Sequence, residues 1–343
     1  MEPIYNIYID KQFIDKLSSK LTGSSISSLK NRDETEIYNS FYDFLKNLVF
    51  VNVFTNISED DLNDPDKDYK YMLNRGKFFP RVRPEIFEDL YEYAEDLDQP
   101  GFTLFLAENK KDIKNKPKLS HMFLSFDDIE FRWSKILSYS LRSLGPFDTL
   151  LNNWRFLDSI RHPLNTIIIV DPYLKSCVTT LDANLKILLN KLLRDYNRVS
   201  RLDVVLFFDK NLVNANPALN NISCKVFFDW MKNLLAAEHV VDYNLVFIDS
   251  KHLKASKLDK EHNRFIITNY WKIKSGRSFD FLNSDGFVDG SYDDVSLSFV
   301  FDPKSSQTVI DDIFRLNQRF YGDSKRFDFT EGELYNRLIE ISD

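Results

Sequence analysis

The chain alternates short, wholly apolar runs with longer stretches whose apolar residues return every three or four positions. Residues 4–9 (IYNIYI) are mostly β-branched or aromatic and predict a buried strand ending at Asp10. Phe13, Ile14, Leu17 and Leu21 then share one helical face. A polar loop is expected over 22–34, a helix over 36–48 and a strand over 49–54. The acidic stretch 56–70 predicts a solvated loop. Ile86, Leu90, Tyr93 and Leu97 predict a helix over 85–97. Strands follow at 102–107 and 122–126, separated by the lysine-rich run 110–118, a solvated loop. The period over 131–144 predicts a helix, stopped by Gly145-Pro146.

That pair is the expected domain boundary, giving a mixed α/β domain over 1–145 and a second domain over 146–343. A short helix is expected over 147–160. Strands 166–170 (TIIIV), 203–208 (DVVLFF) and 243–248 (YNLVFI) then alternate with helical patterns over 179–196 and 225–239. This order predicts βαβαβ with a buried, mostly parallel central sheet, so the fold class is α/β. Three strands in close succession, 264–268, 270–274 and 295–301, and a helix over 306–320 complete the expected second domain.

Composition narrows the function classes. Hydrophobic residues make up 43 % and charged residues 28 %, which excludes a wholly disordered chain. Cys177 and Cys224 are the only cysteines, which excludes a disulfide scaffold and predicts reduced thiols in a cytoplasmic protein. No basic region leads into an apolar one at the start, so no signal peptide is expected. No apolar run approaches the roughly 20 residues of a membrane span. The net charge is −7, with 20 basic and 25 acidic residues over 1–145 and 25 against 27 over the remainder. A dedicated nucleic-acid binder carries a basic excess, so any nucleic-acid contact must be local or metal-assisted.

The first domain offers carboxylates where expected strands end: Asp10, Glu108, Asp127 and Asp128. The carboxyl ends of strands converge on the ligand crevice of α/β folds. Hard oxygen ligands there suit Mg²⁺ or Mn²⁺ and two-metal phosphodiester hydrolysis. The opening YNIYIDKQFIDKL is similar to the first strand and helix of PIN-type nucleases, whose leading Asp binds metal. The aromatic stripe over 36–48 is expected to be core.

In the second domain, His262 opens HNRFIITNYWKIKSGRS, and His262 and Arg264 share one face of the expected strand. A histidine beside a cation forms an oxyanion-binding pair: the cation holds a phosphate, and the imidazole attacks it or transfers a proton. Gly276 allows close backbone approach, and Arg277 adds a second cation.

The spacing His262, Arg264, Asn269, Gly276 with Ser278 nearby resembles the H-x-K-x-x-x-x-D-x-x-x-x-x-x-G-[ST] motif of the phospholipase D superfamily. With 171-DPYL-174 upstream, residues 147–325 resemble its compact single-motif modules, such as the C-terminal domain of MIT-domain proteins and related bacterial modules. The resemblance implies a phospholipase-D-like domain in which Arg264, Gly276, Arg277 and Ser278 bind phosphate. His262, Arg264 and Asn269 stand at the catalytic positions, and Asp171 lies nearby. Arg264 replaces the family's Lys and Asn269 its Asp, so a cation is kept and a negative charge is lost.

The resemblance implies phosphate or nucleic-acid recognition in defence or nucleic-acid processing, without a cofactor. One alternative is a metal-independent homodimeric phosphodiesterase, in which His262 of one chain attacks and His262 of the other protonates the leaving oxygen. Another is a scaffold with a protein partner. Mg²⁺ or Mn²⁺ enters only with the carboxylates of the first domain.

Overall fold

A computed structural model describes residues 5–22, 32–47, 51–67, 69, 78–82, 101–108, 122–140, 142–145, 147–160, 162–174, 178–194, 201–208, 222–249, 264–276, 278–288, 294–317, 327–334 and 336–339. The fold class is α/β, with one five-stranded and one eight-stranded sheet. The chain forms two compact units. The first comprises Met1–Ser140 and Phe299–Ile310, the second Leu141–Ser298 and Asp311–Asp343. The break therefore falls before Gly145-Pro146, and a later segment returns to the first unit.

The first unit is built on β1 (Tyr5–Ile9), β2 (Val51–Thr55), β3 (Phe78–Val82), β4 (Phe102–Ala107) and β5 (Met122–Ser125). Their order is β3-β2-β1-β4-β5, and every neighbouring pair is parallel. The sheet reverses its direction of growth between β1 and β4, which is where such sheets form a crevice. In-register pairing sets Tyr8 opposite both Phe54 and Phe105. Its ring stacks on each at 4.5 Å, and Phe105 stacks on Phe123 at 4.8 Å. These cross-strand rows hold the parallel register. The helices Lys11–Thr22 and Arg32–Asn47 bury Phe13, Ile14, Leu17, Tyr38, Phe41 and Phe44. Phe41 and Phe44 both pack on Trp133, so the aromatic stripe is core.

Some expectations for this half change. The acidic stretch holds a short helix, Glu59–Asn63, capped by Ser58 Oγ accepting from the Asp61 N–H at 3.1 Å. Strand β3 (FFPRV) was not expected; its Pro80 is accommodated because β3 is an edge strand. The expected helix over 85–97 and the lysine-rich run 110–118 lie outside the described residues. The helical path after β5 ends at Tyr139, and residues 142–144, expected to be helical, form a strand.

That strand is β6 (Arg142–Leu144), the first of the second unit. The others are β7 (Thr166–Val170), β8 (Leu202–Phe208), β9 (Tyr243–Asp249), β10 (Arg264–Thr268), β11 (Trp271–Ser275), β12 (Val295–Phe299) and β13 (Phe327–Glu331). Their order is β13-β9-β8-β7-β10-β11-β12-β6. β7, β8 and β9 are parallel, as the βαβαβ pattern predicts. β10 runs antiparallel to β7 and to β11, β6 to β12, and β13 to β9. The sheet is thus mixed, and the wholly parallel one is in the first unit. Every residue of β7 and β8 is buried, as expected of strands covered on both faces.

The expected helix over 147–160 is a 3₁₀ segment, Asn152–Ser159, interrupted where Asn153 and Trp154 adopt positive φ. Asn153 N–H donates to the Gly286 carbonyl at 2.8 Å, and Trp154 is buried against Phe281. Tertiary contacts override helical propensity here. No described helix is long and apolar enough to cross a membrane.

Candidate functional site

Four of the residues singled out in the second domain, Asp171, Arg264, Gly276 and Ser278, meet where β7 ends. Because β10 is antiparallel to β7, with Phe265 opposite Val170, the start of β10 lies beside the end of β7. This brings Arg264 next to Asp171. The β10–β11 hairpin pairs Arg264 with Ser275, so Gly276 and Ser278 arrive at the same place.

Asp171 is fully buried. Its Oδ2 accepts from Ser278 Oγ at 2.6 Å and from the Phe279 N–H at 2.8 Å. Its Oδ1 accepts from the Tyr173 N–H at 3.0 Å. Burial pushes its pKa up to about 6, outweighing these three hydrogen bonds, each of which favours the charged form. The nearby Asp280 carboxylate raises it further.

Arg264 Nε lies 3.8 Å from Asp171 Oδ1, an ion-pair distance too long for a hydrogen bond. Nη1 donates to the Gly276 carbonyl. The guanidinium lies over the Tyr173 ring, 4.6 Å from its centroid. Arg264 is 8 % exposed, and its Nε–H is buried without an acceptor among the described residues. The arrangement is a planar cation held by a carbonyl on one side and a ring on another, at the carboxyl ends of parallel strands. Gly276 acts here through its carbonyl, which any residue has, and it is not among the positive-φ glycines.

Asn269 is placed elsewhere. It follows β10, at the far end of the strand from Arg264. Its Oδ1 accepts from the N–H groups of Asn165 and Thr166 at 2.9 and 3.1 Å, and its Nδ2 donates to Asn165 Oδ1. It fixes the entry to β7 and is not brought to Arg264. His262 and Arg277 lie outside the described residues. Sequence reasoning missed Tyr173. Its signal was its place in 171-DPYL-174, an aromatic two residues beyond a strand-end acid.

In the first unit the named carboxylates also stand at the carboxyl edge of their sheet. Asp10 Oδ1 accepts from Asn56 Nδ2 at 2.9 Å and from the Gln12 N–H at 3.3 Å, which ties the exits of β1 and β2 together. Lys16 Nζ lies 3.7 Å from Glu108 and 3.5 Å from Asp127, so an ammonium already balances that pair. Asp128 faces Arg132 at 3.8 Å. Among the described residues, no three His, Cys, Asp or Glu side chains are grouped to hold a metal ion. No family model matches the chain, and no curated protein matches it either.

Proposed function

We propose that the second unit recognises a phosphate group, on a nucleic acid or another phosphate-bearing ligand, with Arg264 as the binding cation. The observation that carries this reading is the state of the guanidinium: nine-tenths buried, donating to the Gly276 carbonyl and set over the Tyr173 ring at the carboxyl end of β7. Guanidinium geometry suits the two oxygens of a phosphate. Asp171 orients the cation and tempers its charge. The phospholipase-D-like spacing puts Arg264 at the position where that family holds phosphate, which supports the same reading.

Equilibrium binding of short single- and double-stranded oligonucleotides, at several salt concentrations, tests it. Arg264→Gln is expected to weaken binding at least tenfold and to reduce the salt dependence by about one phosphate contact. Arg264→Lys, which keeps the charge without the fork, is expected to fall between the two. Unchanged affinity and salt slope in a folded Arg264→Gln protein would overturn the reading. Cleavage of these substrates that survives EDTA and disappears in His262→Ala would turn recognition into phosphodiester hydrolysis.

A further inference from the structure

We propose that Tyr173 is a stacking platform for a nucleobase, so that the ligand at Arg264 is a nucleotide unit, base and phosphate together. The inference rests on the phosphate reading above and adds a second contact to it.

Tyr173 is 40 % exposed although it adjoins a fully buried carboxylate. Its backbone is fixed. The Tyr173 N–H donates to Asp171 Oδ1, the Leu174 N–H donates to the Asp171 carbonyl at 3.3 Å, and Leu174 is buried. The ring is thus presented by a rigid turn at the carboxyl end of β7. One side is covered by the Arg264 guanidinium.

The cation-covered, exposed Phe131 differs. Phe131 is 64 % exposed and is covered by Lys135, an exposed side chain four residues along the same helical path. At Tyr173 the covering cation is buried and held by a backbone carbonyl.

A nucleotide carries a flat base and a phosphate one sugar apart, so a single ligand can engage adjacent ring and guanidinium. Stacking a base on an aromatic side chain does not depend on sequence. The pair gives a chain of net charge −7 one preorganised cation with stacking beside it, a local contact that needs no net basic excess.

The test is isothermal titration of the full chain with inorganic phosphate, ribose 5-phosphate, adenosine 5′-monophosphate and a 5′-phosphorylated trinucleotide. Adenosine 5′-monophosphate is expected to bind roughly tenfold or more tighter than ribose 5-phosphate, the gain being the base. Tyr173→Leu should erase that difference, and Tyr173→Phe, which keeps the ring over which the guanidinium lies, should retain it. Equal affinity for the two in the wild type, or a difference that persists in Tyr173→Leu, would overturn the platform. Binding that depends on Tyr173 but ignores Arg264→Gln would overturn the phosphate reading instead. Absence of binding by all four probes would overturn both. If the platform holds, tighter binding of the trinucleotide than of the mononucleotide identifies a strand as the ligand, and equal binding a free nucleotide.

Discussion

Ser278 Oγ donates to Asp171 Oδ2 at 2.6 Å, joining two buried side chains 107 positions apart. The bond ties the chain after the β10–β11 hairpin to the end of β7, and it favours the charged form of a carboxyl that burial drives toward neutrality. Ser278→Ala is expected to cost about 1–2 kcal/mol at pH 8, where Asp171 is ionised, and less at pH 5, where it holds its proton. Urea unfolding at the two pH values measures the difference.

The same carboxyl makes stability depend on pH. Its folded pKa of about 6 lies above the ordinary 3.8, so between these values the folded state keeps a proton that the unfolded chain has released. Its contribution to stability therefore falls as pH rises from about 4 to about 6, by up to about 3 kcal/mol. Asp171→Asn should remove that component. Subtracting the two proteins' profiles of unfolding free energy against pH isolates it; parallel profiles would contradict the assignment.

Asn269 gives a prediction of the opposite kind. It satisfies two buried backbone donors at the entry to β7, at the far end of β10 from Arg264. Asn269→Ala should cost about 2–4 kcal/mol in denaturant unfolding, since two N–H groups lose their acceptor. Phosphate binding by the folded fraction should be unchanged.

A second buried carboxylate sits at the amino end of the interior strand β8. Asp203 Oδ2 accepts from Arg337 Nε at 3.1 Å, and its Oδ1 from Asn244 Nδ2 at 2.8 Å. Burial raises the Asp203 pKa despite Arg337, whose charge and hydrogen bonds oppose the rise. Arg337→Ala leaves this charge buried and is expected to cost about 3–5 kcal/mol. Adding Asp203→Asn should recover part of that loss, because the unpaired charge is then removed. A double-mutant cycle by chemical denaturation measures the coupling.

The interior strands were readable because they are wholly apolar: TIIIV and DVVLFF could only be buried on both faces. The strands that escaped were short or at the edges. FFPRV carries a proline, RSL continues a helical period, and FDFTE alternates with charge. Each takes its conformation from a neighbour that local pattern does not reveal. At the site, spacing identified Arg264, Gly276 and Ser278, but it treated Asn269 as their companion. Five residues of extended chain rise about 17 Å, so a motif that runs the length of a strand cannot place both ends at one point. The link from Asp171 to Ser278 required knowing that β10 lies antiparallel beside β7, and Tyr173 became visible only through the guanidinium against it.

The first unit is discontinuous in sequence, and this bears on how it can assemble. Tyr5, in its central strand, donates its hydroxyl to the Val300 carbonyl at 2.8 Å and packs on Phe301 at 5.2 Å, partners nearly 300 residues away. A fragment ending at residue 140 would therefore have an unsatisfied buried phenol and an uncovered aromatic face. Loop closure over so long a span slows folding. During synthesis the five parallel strands emerge long before Phe299–Ile310, the segment that completes their unit, so the unit is expected to close only late in translation.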